Sequence, residues 1–135
     1  MSTRATYQFK QEGKPTVIIY KHHDGYPVGA ADHLKCAVGS SNPAEAFLRA
    51  HDEAEITESH EIHGDTEYRY NVINQQVEVY ERNYDSGNWA KVLECELEQF
   101  VEGAVSREAF ETLGRISEIE KQIQALKEEA ARLLA

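Results

Sequence analysis

The apolar positions of this chain follow two rhythms. Most of the first hundred residues alternate with period two, and the last thirty carry a 3-4 stripe. Tyr7 and Phe9 fall on one side of Thr6–Lys10, which predicts a short strand. Glu12-Gly13-Lys14-Pro15 is a turn, and the β-branched run Thr16–Tyr20 completes a predicted hairpin. Ala30–Val38 reads as a short helix closed by Gly39. Ser40-Ser41-Asn42-Pro43 starts a second helix, running to about Asp52, with Glu45 in its first turn and Phe47 and Leu48 toward the core.

From Glu55 to Leu97 alternation returns, with Tyr68, Tyr70 and Val72 on one face, then Val77 and Val79, then Trp89, Leu93, Cys95 and Leu97. Gly64-Asp65, Ile73-Asn74-Gln75 and Tyr84-Asp85-Ser86-Gly87 separate these runs as hairpin connections, so an antiparallel meander of three or four strands is expected. Glu98–Gly103 suits a short helical turn. A long helix runs from Ser106, with Gly114 marking a bend or a close approach. Ile116, Ile119, Ile123, Leu126, Ala130 and Leu133 form a narrow heptad seam, which either lies on the sheet of its own subunit or pairs with another copy; its narrowness favours self-association. The fold class that follows is α+β: an antiparallel sheet of five or six strands, one or two short helices and a long C-terminal helix. Residues 1–105 are expected to form the core domain, and residues 106–135 an oligomerisation element.

A chain of 135 residues, 41% hydrophobic and 28% charged, has the size and composition of one globular domain. It contains no apolar run of membrane-spanning length, the N-terminus lacks a signal peptide's apolar core, and Cys36 and Cys95 lack metal-type spacing. These features predict a cytoplasmic protein, not a membrane one, with both cysteines reduced in the core.

The net charge of −10 is uneven: residues 1–40 hold five basic residues against three acidic, whereas residues 52–102 hold fourteen acidic against three basic. Such a surface disfavours direct DNA binding. It either solubilises the chain or mimics nucleic acid toward a basic partner.

The chemistry concentrates in Ile18–Gly29, I-I-Y-K-H-H-D-G-Y-P-V-G. On an extended chain Tyr20, His22 and Asp24 share one side while Lys21 and His23 share the other. Gly25 and Pro27 would make the loop that follows rigid. Four readings fit these residues. In one, Arg4, Lys21 and a histidine bind an anion, with Tyr26 as a stacking surface. In another, a histidine and Asp24 serve as an acid–base pair. A metal could be held by His22 or His23 with Asp24 and His51, His60 or His63. The plainest reading is an ordinary turn. No cofactor and no metal are expected, and the ligand-binding residues read from this stretch are Arg4, Lys21, His22, His23, Asp24 and Tyr26.

The opening Ser2-Thr3-Arg4, paired with Tyr20, the histidines, Asp24-Gly25-Tyr26-Pro27 and Gly29, resembles a family of small proteins of bacteriophages and prophage-carrying bacterial genomes. The likeness covers roughly the first thirty residues. It implies a phage or mobile-element setting, in which small acidic oligomers often act in counter-defence. Such a protein would be a non-catalytic homo-oligomer that sequesters an anionic nucleotide signal or inhibits a host defence protein. A small hydrolase using a histidine and Asp24, or an acidic nucleic-acid mimic, are the alternatives.

Overall fold

A computed structural model describes residues 3–135. Six strands form one sheet: β1 (Ala5–Lys10), β2 (Val17–Lys21), β3 (Glu55–Thr57), β4 (Tyr68–Ile73), β5 (Gln76–Arg82) and β6 (Trp89–Glu96), in the order β3-β2-β1-β4-β5-β6. The helices are α1 (Pro27–His33), continued by a 3-10 turn over Leu34–Ala37, then α2 (Pro43–Ala50), α3 (Leu97–Gly103) and α4 (Arg107–Leu134). The α+β class is as the alternation predicts.

Three of the predicted hairpins form, β1–β2, β4–β5 and β5–β6. β1 and β2 turn through Gly13 at φ 74°, and β4 and β5 turn through Asn74 at φ 58°, a left-handed conformation that asparagine tolerates. One pairing departs from the expected meander: β1 and β4 run parallel, from Ala5 opposite Tyr68 to Lys10 opposite Ile73. Parallel neighbours need a crossover rather than a tight turn. Residues 58–67 supply it by leaving edge strand β3 and passing to β4 in the middle of the sheet. That segment carries no strand periodicity, so Gly64-Asp65 belongs to a crossover and not to a hairpin.

One face of the sheet is dry. Tyr7, Phe9, Ile19, Tyr70, Val77 and Val79 are fully buried there, with Phe47 of α2 and Phe100 of α3 packed over them. Tyr7 stacks on Tyr70 with ring centroids 5.0 Å apart. Cys36 and Cys95 are only half-buried at the rim of this core, and burial raises the Cys95 thiol to about 11.

Helix starts follow the sequence signals. Asn42 caps α2 through the Glu45 amide, Pro43 opens its first turn, and Ser106 caps α4 through the Ala109 amide. The first short helix begins at Pro27 rather than Ala30, because a proline suits the first helical position. Leu97, expected at the end of the last strand, instead opens α3 and is buried.

α4 crosses edge strand β6 closely. A Cβ on Gly114 would stand 3.0 Å from the Val92 carbonyl, and the Ser117 hydroxyl donates to the Glu94 carbonyl at 2.7 Å. Gly114 therefore marks a close approach. Beyond Ser117 every residue of α4 is exposed.

Candidate functional site

The Ile18–Gly29 stretch is a strand-to-helix connector tied to the start of β1. Asp24 takes a left-handed φ of 55° and turns the chain. The Gly25 amide donates to the Thr3 carbonyl at 2.8 Å, and the Tyr70 hydroxyl donates to the Gly25 carbonyl at 2.6 Å. A Cβ on Gly25 would lie 2.7 Å from the Ala5 Cβ, and one on Gly29 would lie 2.3 Å from the Asp24 carbonyl oxygen. Both glycines are required by space. The two parts of the motif, Thr3-Arg4-Ala5 and Asp24-Gly25, are neighbours in the fold; Ser2 lies outside the described residues.

The six residues read from the sequence do not converge on one ligand site. Arg4 and His22 meet on the face of the sheet away from the helices. There the Arg4 Nε pairs with Asp65 at 3.0 Å, and the Tyr20 hydroxyl donates to the same carboxylate at 2.9 Å. The Arg4 Nε–H donates to His22 Nδ1 at 3.2 Å. The rest of the ring is held close by the same neighbours, with Nδ1 3.3 Å from the Tyr20 oxygen and Nε2 3.2 Å from Arg4 Nη2. Burial, followed by the bond to Asp65, raises the Tyr20 phenol to about 12. His23 sits edge-on to His22, with centroids 4.9 Å apart.

Lys21 points the other way, as alternation requires. It is 3% exposed, and its ammonium pairs with Glu53 just beyond α2. That hydrogen bond is the first cause holding the Glu53 carboxyl below its usual range. Nearby, His51 Nε2 lies 3.0 Å from the His33 carbonyl. The His33 ring is lowered by burial first and the Lys21 charge next. Tyr26 stands apart again, half-exposed beside Tyr68 and Phe110 in a cleft of about 170 Å³ that Glu81, Arg107 and Glu111 rim. Both cations of the expected anion site, Arg4 and Lys21, are thus committed to carboxylates of this same chain.

The crossover loop separates the two spaced histidines. His60 is buried, with Nε2 donating to Asn71 Oδ1 at 2.9 Å and Nδ1 accepting from the Thr6 hydroxyl at 2.6 Å. His63 packs edge-on to Tyr20 at 4.0 Å and bonds the Thr57 hydroxyl at 2.8 Å. Among the described residues no group of three or more His, Cys, Asp and Glu side chains gathers in a geometry that could hold a metal ion.

Farther along the same open face lies a second cluster that the sequence reading passed over. The Arg69 guanidinium stacks over the Trp89 ring, 3.9 Å from its centroid, and the side chain is only 18% exposed. Its Nε is buried with no hydrogen-bond partner, and the paired carboxylate, Glu61, stands 3.8 Å away. Burial pulls the Arg69 pKa below the ordinary arginine value, with Glu61 opposing. Arg82 donates to the Gly64 carbonyl at 2.8 Å and lies 5.7 Å from the Tyr84 ring centroid. These side chains, with His63, line a groove of about 410 Å³. The available signal was alternation: Arg69 and Arg82 occupy the non-core positions of β4 and β5, where a net count of charges hides them.

No protein-family profile, curated protein or solved structure matches the chain. No helix among the described residues is long and apolar enough to cross a membrane.

Proposed function

We propose that the chain is a non-catalytic binding protein that works as a homo-oligomer joined through α4, and that it acts in counter-defence in a phage-type setting. The observation that carries the assembly is the course of α4. One stripe, Gly114, Ser117 and Lys121, faces β6, with Lys121 reaching Glu94 at 3.2 Å, and Phe110 one turn earlier packs on Phe100 of α3. A second stripe, Ile116, Ile119, Ile123, Leu126 and Leu133, lies outside the core cluster and is 41% to 78% exposed. A narrow 3-4 stripe on a helix that outruns its domain is stabilised by a matching helix.

The binding role rather than a catalytic one is supported by the partners of His22: it is engaged by Arg4 and Tyr20, while Asp24 sits in a tight turn. The counter-defence setting rests on the resemblance of the first thirty residues.

The test is a plating assay in a host carrying a nucleotide-signalling immune system, with the protein expressed in the host. Wild type is expected to restore phage plating, and the double variant Ile119→Glu/Ile123→Glu is expected to lose that effect. No rescue by wild type across such systems would refute counter-defence; rescue by the double variant would refute the need for assembly.

A further inference from the structure

We propose that the groove on the open face of the sheet, built on Arg69, Trp89, Arg82 and Tyr84, binds a small nucleotide, with its phosphate on the two guanidinium groups and its base on the Tyr84 ring. This rests on the binding-protein reading and gives it a site and a ligand class.

An arginine this buried is expected to have its N–H groups satisfied, because an orphaned donor in a desolvated setting is costly. Arg69 does not meet that expectation: one N–H is unpartnered, and its carboxylate partner is distant and borne by an exposed loop residue. Stacking on Trp89 fixes the guanidinium plane, and its Nη1, 3.8 Å from Glu61 in the groove lining, is the donor an oxyanion would meet there at no further ordering cost. Arg82 is held by the Gly64 carbonyl and adds a second positive charge to the same groove.

Tyr84 supplies the aromatic surface. It is 73% exposed at the tip of the β5–β6 hairpin, and its hydroxyl is tied to Glu67, so the ring is oriented without being covered. An exposed ring beside paired arginines is the arrangement that stacks a base and grips its phosphate.

A volume of about 410 Å³ suits a small ligand. A long nucleic-acid strand would instead run out over a chain of net charge −10. Two carboxylates border the groove: Glu61, which competes for Arg69, and Glu67, engaged by Tyr84. Glu61 is the internal stand-in that a phosphate would displace.

Trp89 is the only tryptophan, so its emission reports this groove directly. The experiment titrates the full-length protein with AMP, inorganic phosphate and a short oligo-dT, following that emission, with sedimentation velocity run on the same samples. A saturable AMP response is expected, with a dissociation constant between roughly 10 µM and 1 mM. Phosphate alone should bind about tenfold more weakly, since it lacks the stacked base.

Arg69→Gln should weaken AMP at least about tenfold, and Tyr84→Ala should erase the preference over phosphate. Glu61→Gln should tighten AMP about threefold, a gain that a misfolded variant cannot mimic. No response to about 5 mM AMP, a response indifferent to Arg69→Gln and Glu61→Gln, or tighter binding of oligo-dT than of AMP overturns the assignment. Sedimentation separates the two claims: an oligomer without an AMP response refutes the groove alone, whereas a monomer refutes the assembly.

Discussion

Gly25 and His60 show how single residues hold the open face and the connector in place. Gly25 is wedged between the Ala5 side chain and the Thr3 carbonyl, so any Cβ there must push β1 aside. Gly25→Ala is expected to lower stability by about 1–3 kcal/mol, the usual cost of overpacking, measured by denaturant unfolding. His60 is held between two polar groups, with Nε2 donating to Asn71 and Nδ1 2.6 Å from the Thr6 hydroxyl, and its burial disfavours the charged ring. Burial is the first cause lowering both His60 and His33 below the ordinary 6.5.

An imidazole lowered in the folded state contributes stability that is present above pH 6.5 and is lost as pH falls through the folded value. The melting temperature should therefore be level above about pH 7 and decline on acidification below 6.5. The lowered Glu53 carboxyl adds a further loss below its ordinary 4.5. His60→Gln should flatten the decline between pH 6.5 and 5, read from melting curves across that range; an unchanged slope would remove His60 from the account.

The alternation of Tyr20 and His22 against Lys21 was legible, because it is a property of one strand. Their partners were not: Asp65 and Glu53 lie 45 and 32 residues away, and nothing local marks a carboxylate as the one that a given cation will meet.

At the scale of elements, α4 carries two distinct stripes. Its first third anchors on α3 through Phe110 and on β6 through Gly114 and Ser117, and the remainder carries its apolar stripe exposed. Ile119→Glu/Ile123→Glu places charges in that seam while leaving the anchor and sheet untouched. The double variant is expected to be a monomer at concentrations where wild type is assembled. Its core melting should fall only as far as the loss of assembly requires, by mass action. Sedimentation and near-UV circular dichroism together check this; a variant that keeps its oligomeric mass would show that the seam is not the interface.

The seam, the caps of α2 and α4 and both tight hairpins could be read in advance, because each is written in a few adjacent residues. The β1–β4 parallel pairing could not. It is decided by where a loop without periodicity lands, and residues 58–67 give no sign that they cross two strands.

For the whole molecule, charge is paired across the fold and not sorted by segment. The sequence count gave a basic N-terminal segment and an acidic remainder, yet Arg4 and Lys21 of the first are neutralised by Asp65 and Glu53 of the second. The arginine with a buried, unpartnered N–H is Arg69, in the middle of the acidic stretch. A sum over sequence windows cannot see this, because pairing is set by the sheet.

The central claim is that the protein assembles through α4, and native mass spectrometry of the intact chain at about 10–50 µM tests it most directly. The account requires a mass that is a multiple of 15.3 kDa. A single species at 15.3 kDa throughout that range would contradict it, and the bare stripe on α4 would then need another explanation.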